Sequence, residues 1–433
     1  MSKTKVGNYR WTICSLVFFA TTINYLDRAV ISLLKSDLEV EFNWTESDYS
    51  NLVVAFQISY AVGMLGVGRF IDKIGTKMGY ALSLIFWSLA AIGHALVKST
   101  FGFFVARAAL GITEAGNFPA AIKTTAEWFP KRERALATGI FNSGTNIGAI
   151  IAPLTVPFIA AEWGWKWAFI LTGAAGFIWL FFWFIMYEIP SRHKRLSKAE
   201  FEYIHSDTDE VSNQEADTEP KVPWLRLLGY RQAWVFIMGK FLTDPVWWFY
   251  LFWLPAFLNA EYHLTGTATA LPVAFAYTVA SFGSIFGGWL PLKFIKMGWS
   301  VPKARKTSML IYAFCVLPVV FAQYFGSYNM WWAVIIIGMA ASAHQAWSAN
   351  LFTTTSDMFP KKAVGSITGI GGMVGALGGV IFSKSAGMLF DHYKALGQLE
   401  VGYYIMFFIC GGAYLLAWVI MHLLAPKMEM VKL

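Results

Sequence analysis

Glu127-Trp-Phe-Pro-Lys-Arg132, followed by Thr138-Gly-Ile140 and Gly148, returns without a gap as Asp357-Met-Phe-Pro-Lys-Lys362, Thr368-Gly-Ile370 and Gly378. A loop and its following helix repeated at this separation point to a chain built from two related halves. A weaker echo sets Gly68-Arg-Phe-Ile-Asp72-Lys-Ile-Gly75-Thr-Lys77 against Gly288-Trp-Leu-Pro-Leu-Lys293 and Gly298. Chance could produce one such match, but hardly two at corresponding positions.

The setting of the repeat decides its solvent. Of 433 residues, 57% are hydrophobic and 14% charged, against about 25% charged in a soluble domain, and the mean hydropathy is +0.50. One water-soluble core cannot hide that much apolar surface, so the bilayer is part of this chain's solvent. Stretches long enough to span about 30 Å of hydrocarbon lie near 11–34, 48–70, 78–97, 101–127, 134–160 and 166–187, then 233–258, 267–292, 307–325, 330–356, 363–389 and 401–424. The expected fold is an all-α membrane protein: twelve transmembrane helices in two pseudo-twofold-related six-helix bundles, 1–189 and 233–433, joined by a linker at 190–232. The first stretch follows a short polar tail with no A-x-A-like site, so no signal peptide is expected.

The formal charge of +8 raises nucleic acid as a partner until the charges are placed. Lys3, Lys5 and Arg10 precede the first stretch, Arg69, Lys73 and Lys77 follow the second, and Lys131, Arg132 and Arg134 follow the fourth. Arg192, Lys194, Arg195 and Lys198 follow the sixth; Lys293, Lys296, Lys303, Arg305 and Lys306 the eighth; Lys361 and Lys362 the tenth; Lys427 and Lys432 the last. Alternate loops are poor in Lys and Arg, and the first is acidic (Asp37, Glu39, Glu41, Glu46, Asp48). This alternation puts both termini in the cytoplasm, and the charge excess is topological. No nucleic-acid partner is expected, only membrane lipid and a small solute.

The linker opens with Ser197-Lys-Ala-Glu200, a capping box that predicts a short helix over about 197–205. An acidic run from Asp207 to Glu219 and then Pro220 and Pro223 follow, so this is a connector and not a catalytic domain. Cys14, Cys315 and Cys410 are scattered through apolar stretches and are read as small buried residues. No metal spacing, cofactor motif or G-x-x-x-x-G-K-[ST] phosphate loop is present, so ATP drive is not expected.

Gly68 to Lys77 reads G-x-x-x-D-x-x-G-x-K, which resembles the cytoplasmic loop signature of the major facilitator superfamily. In physical terms Gly68 permits close helix contact and Gly75 a tight turn, while Asp72 and basic side chains such as Lys77 can latch a neighbouring helix end. The second copy has Pro291 or Leu292 near the place of the aspartate, so the gate is expected to be asymmetric.

Ionisable residues inside the membrane carry the chemistry. Each costs roughly 2.5–3.5 kcal/mol at mid-bilayer on insertion scales, so it persists when paired, solvated or functional. The first half holds Asp27, Arg28, Arg107 and Glu114; the second offers only Lys240 and Asp244. Asn24 and Arg28 share a helix face, with Asp27 turned by about 100°. Arg28, always charged and fork-shaped, suits a carboxylate, so it is the candidate anchor for an organic anion; the alternative is a structural Asp27–Arg28 pair. Arg107 and Glu114 stand two turns apart, roughly 10 Å in rise. Glu114 is a candidate proton carrier, or else half of a permanent bridge to Arg107.

N-Y-L-D-R at 24–28 and R-x-x-x-G-x-x-E-A-G-x-F-P from Arg107 to Pro119 look like the anion:cation symporter branch, with its bacterial hexuronate and galactonate proton symporters. The resemblance covers essentially the whole chain, including the S-x-A-E segment and the Gly298-Trp-Ser-Val run. It implies that Arg28 binds the substrate carboxylate, that Asp27 and Glu114 take part in proton coupling, that Arg107 assists, and that Tyr25 lies beside the site.

Further polar side chains could hold sugar hydroxyls: Gln57 and Tyr60; Asn142, Thr145 and Asn146; His344, Gln345, Trp347 and Asn350; and Tyr250 with Trp247 and Trp248. A polyol needs several amide or hydroxyl partners and an aromatic wall, although any one of these could simply bridge helices, His344 above all. The function expected is proton-coupled uptake of a sugar acid, a hexuronate or an aldonate, by a monomer in a bacterial inner membrane. Sodium coupling and other organic anions, sialic acid among them, remain alternatives. A membrane enzyme would need a clustered nucleophile, base or metal set that the sequence lacks, and a sensor would need a signalling domain larger than the linker.

Overall fold

In this computed structural model, which describes residues 7–206, 224–359 and 361–431, the chain is built of helices. They are α1 (Tyr9–Leu33), α2 (Lys35–Phe42), α3 (Glu46–Ile74), α4 (Thr76–Gly93), α5 (Thr100–Glu114), α6 (Asn117–Trp128), α7 (Lys131–Trp163), α8 (Trp165–Met186) and α9 (Lys198–Ile204). After the linker come α10 (Trp224–Leu227), α11 (Arg231–Tyr262), α12 (Ala270–Lys296), α13 (Val301–Val316), α14 (Ala322–Gly326), α15 (Met330–Met358), α16 (Lys361–Ala395) and α17 (Leu399–Leu424). Each of the twelve apolar stretches falls mostly on helix. Among the described residues, nine segments are long and apolar enough to cross a membrane. The other three, on α5 and α6, α11 and α15, are those that carry Arg107 and Glu114, Lys240 and Asp244, and His344 with Asn350.

The expected fourth span is not one helix. It breaks at Ala115 and Gly116, directly after Glu114, and restarts at Asn117. The ninth also departs from expectation: its α-helix ends at Val316 in a 3-10 turn that carries Pro318 near its start, a residue without the N–H an α-helix would use.

The helices form two compact units. The first takes Met1–Val30 and Ile58–Glu219. In it an aromatic ladder fastens α8 to its neighbours: Trp179 stacks on Trp183 at 4.9 Å, and Trp183 on Tyr187 at 3.9 Å. Each indole also has its polar edge satisfied, Trp179 Nε1 donating to the Leu16 carbonyl at 2.7 Å and Trp183 Nε1 to that of Lys77 at 3.0 Å. Where the linker begins, Ser197 caps α9 by accepting from the Glu200 amide at 3.2 Å. The reciprocal half of the capping box is absent, because Glu200 turns to Arg10, accepting from its amide at 3.0 Å and its guanidinium at 3.2 Å. The acidic run at 207–219, Pro220 and Pro223 lie outside the described residues.

The second unit takes Ile31–Gln57 and Pro220–Leu433. Asp391 on α16 accepts from the Glu46 and Ser47 amides at 2.8 and 2.9 Å, placing a carboxylate on the N-terminus of α3. Beside it Lys35 bridges Glu39 at 2.6 Å and Glu46 at 3.0 Å. Burial opposes the Lys35 charge, but the two carboxylates outweigh it and hold its pKa above the ordinary lysine value. Cys410 is buried here, as is Cys14 in the first unit, whereas Cys315 is exposed, against the expectation that all three are interior.

The repeat is visible as geometry inside each unit. Phe129 and Phe359 end their helices with nearly the same backbone, φ −126°, ψ 135° and φ −127°, ψ 142°. A Cβ on Gly148 would come within 2.5 Å of the Thr22 carbonyl, and one on Gly378 within 2.5 Å of the Phe241 carbonyl. Both glycines therefore let the fifth expected span press on the first of its half, at a distance no side chain allows.

Candidate functional site

The first unit gathers its intramembrane charges around the break between α5 and α6. Arg28, Asp27, Arg107 and Glu114 are all fully or almost fully buried. Arg28 donates through Nε at 3.0 Å and Nη2 at 2.9 Å to one oxygen of Glu114, and Nη2 also reaches Asn24 Oδ1 at 3.3 Å. The rings of Tyr25 and Tyr60 flank the guanidinium, with centroids 4.5 and 4.9 Å from Cζ. Each such face is worth about 2 kcal/mol to a cation cut off from water. The cation is thus held by one carboxylate and two aromatic faces, in an apolar surround where breaking a buried pair costs about 3–5 kcal/mol.

This pairing differs from both structural alternatives raised by the sequence. Arg28 is paired with Glu114 and not with its neighbour Asp27, and Glu114 meets Arg28 across helices, with Arg107 adding to the positive field at its carboxylate. A separation of two turns along α5 is too long for a direct bridge between Arg107 and Glu114. The second oxygen of Glu114 makes no hydrogen bond among the described residues. Asp27 is 1% exposed and lies near Trp87 and Thr172, yet among the described residues neither of its oxygens makes a hydrogen bond of regular geometry. A pair that uses one of two carboxylate oxygens, and a second carboxyl left over, is an arrangement able to exchange partners.

Two residues at this site escaped sequence reading. Asn117, the first residue after the break, accepts from Tyr80 Oη at 2.7 Å and donates to Thr21 Oγ1 at 3.4 Å, tying α6 to α4 and α1. His94 is buried, stacked on Phe169 at 4.9 Å, and within the field of Arg107. The signal for Asn117 was available: an Ala-Gly-Asn step directly after a buried Glu marks a helix restart. His94 had none, since a histidine at a span end reads as interface.

The remaining candidates divide. Asn146 is buried, Asn142 is exposed, and Thr145 spends its hydroxyl on the Asn142 carbonyl at 2.8 Å. In the second unit Gln57 is buried close to Gly379, and neither of its side-chain polar atoms makes a hydrogen bond among the described residues. His344 bonds Tyr414 at 2.6 Å and stacks on Trp247 at 5.4 Å, and Asn350 donates to the Gly287 carbonyl at 2.6 Å. Both act as helix-to-helix ties. Trp347 and Tyr250 are buried with indole N–H and hydroxyl unpartnered among the described residues, and Gln345 is half-buried. Lys240 pairs with Asp244 at 2.6 Å, one turn apart on the same helix.

At the loop between α3 and α4, Gly75 has φ +85°, the conformation glycine tolerates, and the turn is as tight as expected. Lys77 pairs with Glu188 at 2.9 Å, and that hydrogen bond holds the Glu188 carboxyl below its ordinary pKa. Gly68 gives no close helix contact: a Cβ there would meet nothing within 4 Å, so that expectation fails. The Asp72 side chain lies outside the described residues.

Known proteins match this chain over most of its length. The Major Facilitator Superfamily profile matches residues 17–383. The hexuronate transporter of Escherichia coli (strain K12) is 32% identical over 388 residues, covering 89% of each chain. The galacturonate transporter of Dickeya chrysanthemi is 34% identical over 292 residues, covering 67% of this chain and 84% of its own. The crystal structure of a D-xylose-proton symporter superposes with a TM-score of 0.75 at 16% identity, covering 98% of this chain and 100% of that one, a likeness of fold. With its helical halves, its multiple membrane-crossing segments and these relatives, the chain belongs to the major facilitator superfamily and is a transporter, not an enzyme.

Proposed function

We propose that this transporter carries a small sugar acid, a hexuronate or an aldonate, into the cell together with protons. The observation that carries the reading is the enclosed Arg28–Glu114 pair, flanked by Tyr25, Tyr60 and Asn24 and followed by the unpaired Asp27. A guanidinium occupied by an internal carboxylate is a site where a substrate carboxylate must compete. Protonating Glu114 weakens its hold, frees the guanidinium fork for the substrate, and leaves the site with no net surplus of charge. Asp27 supplies a second carboxyl that can carry a proton through the same environment, and Arg107 sets the field at Glu114. Relatives named for hexuronate and galacturonate transport support the substrate class.

The proposed frame is twelve spans with both termini cytoplasmic, two six-helix bundles at 1–189 and 233–433, and the linker at 190–232. Alternating access then needs the halves to rock about the bound anion. The loop holding Gly75, Asp72 and Lys77 serves as a cytoplasmic latch, for which the Lys77–Glu188 pair is the available support. Gln57, Asn142, Asn146, Tyr250, Gln345 and Trp347 are the proposed hydroxyl and ring contacts; the hydrogen bonds of Thr145, His344 and Asn350 support scaffold roles instead.

Uptake into proteoliposomes settles the reading. Glucuronate, galacturonate and galactonate are offered under an imposed pH gradient or an imposed sodium gradient. Accumulation of one of them driven by the pH gradient alone is the expected result. Accumulation that follows sodium and ignores pH would replace the proton; transport of neutral sugars only would remove the anion.

A further inference from the structure

The second unit also holds a cleft of about 460 Å³ where α13 begins and α17 ends, far along the chain from the buried charges. Its wall carries Lys303, Lys306, Thr307, Trp418, His422 and Lys427. Among the described residues none of the three lysines has a carboxylate within ion-pair distance, while Arg305, between two of them in sequence, is taken by Asp357. The cleft thus gathers three lysines that have no ion-pair partner among the described residues.

The cleft is also built. Lys306 is fixed by donating to the Ala425 and Pro426 carbonyls at 2.5 and 2.6 Å. Trp418 donates to the Lys306 carbonyl at 2.9 Å and stacks on His422 at 5.0 Å. Lys303 lies 4.5 Å from the Trp299 ring, and Lys303 and Lys427 stand exposed at the mouth. The first amides of the sixteen-residue α13 add the partial positive charge of a helix N-terminus.

One and two turns along α13 from Thr307, Ile311 and Phe314 are exposed apolar side chains, and on α17 Leu416 and Val419, either side of Trp418, are exposed as well. A fixed cationic end continuing into an apolar flank, with an indole at the junction, has the two-part chemistry of a phospholipid. A free phosphate would use only the first part.

We propose that this cleft binds the phosphate headgroup of an anionic phospholipid, with the acyl chains laid along α13 and α17. The full-length protein in detergent is titrated with phosphatidylglycerol, phosphatidylcholine or inorganic phosphate and the bound species are counted by native mass spectrometry. Phosphatidylglycerol is expected to be retained over phosphatidylcholine. The Lys303→Gln/Lys427→Gln double variant, both positions being exposed, is expected to weaken that retention roughly tenfold. A Lys194→Gln/Lys198→Gln variant, which removes the same charge elsewhere, is expected to leave it unchanged. Equal retention of the two lipids, an unaffected Lys303/Lys427 variant, or an equal loss in the control variant would overturn the proposal. Inorganic phosphate displacing phosphatidylglycerol at equal concentration would overturn the lipid assignment.

Discussion

Glu114 and His344 stand at the same point of the two halves, in the ungapped register that sets Glu127 on Asp357. Glu114 meets a guanidinium at 2.9 Å, and its helix breaks immediately after it. His344 stacks on Trp247 at 5.4 Å, bonds Tyr414 at 2.6 Å, and its helix runs unbroken from Met330 to Met358. The shape of the repeat is kept, as Gly148 and Gly378 or Phe129 and Phe359 demonstrate, while the chemistry is not. A buried charge needs a partner in the same apolar surround, and one ion pair that can open is enough for the anion and the proton of the proposed function. The aromatic version at the equivalent place has no charge to exchange and serves as a stiff wall.

The largest effect expected from this comparison is at the anchor and its aromatic counterpart. Arg28→Ala should reduce sugar-acid uptake on the order of a hundredfold or more, because it removes the fork proposed for the anion and strands Glu114. Trp247→Ala should cost less than about tenfold, the loss of a packing surface. Initial rates at matched protein levels decide; equal losses would mean that both halves carry the chemistry.

A second contrast lies at the motif that begins the repeat. Glu127 accepts from Thr76 Oγ1 at 2.6 Å and Tyr187 Oη at 2.5 Å, both neutral donors, whereas Asp357 meets the Arg305 guanidinium. Asp357→Asn leaves a part-buried cation without its counter-charge and should lower stability by about 1–3 kcal/mol. Glu127→Gln keeps an acceptor for one hydroxyl and should cost about 1 kcal/mol or less. Thermal unfolding in detergent ranks the two, and a larger drop for Glu127→Gln would reverse the assignment.

The smallest effect is a pH dependence at the loop. Because the Lys77 hydrogen bond depresses the Glu188 carboxyl, that group stabilises the fold above the unfolded-state glutamate pKa. Its contribution is lost as pH falls through the lowered native value. Glu188→Gln should therefore narrow the difference in melting temperature between neutral pH and pH near 4 by an amount that salt also screens. A variant whose acid limb matches the wild type would show that the pair contributes nothing.

Much of the helical frame was legible because apolar runs of span length and alternating Lys and Arg loops are one-dimensional signals. The four charged residues of the first half were legible for the same reason: charge in such a run is conspicuous. Their pairing was not. Spacing within one helix places Asn24 beside Arg28 and separates Arg107 from Glu114, but says nothing of a partner on another helix, and the Arg28–Glu114 pair spans 86 positions. Glu200 is a similar lesson, since a capping box predicted its local role and Arg10 claimed its side chain. On α7 the Thr145 hydroxyl bonds the Asn142 carbonyl within its own helix, an option any helical threonine has and one that residue spacing does not reveal.

The direct test of the account is to separate exchange from accumulation at the two equivalent positions. Proteoliposomes holding wild type, Glu114→Gln or His344→Gln are assayed for exchange of preloaded glucuronate and for uphill uptake driven by a pH gradient. The account predicts that Glu114→Gln keeps exchange but loses uphill uptake, while His344→Gln keeps both at reduced rate. Uphill uptake by Glu114→Gln at the wild-type level, or its selective loss in His344→Gln, would contradict it.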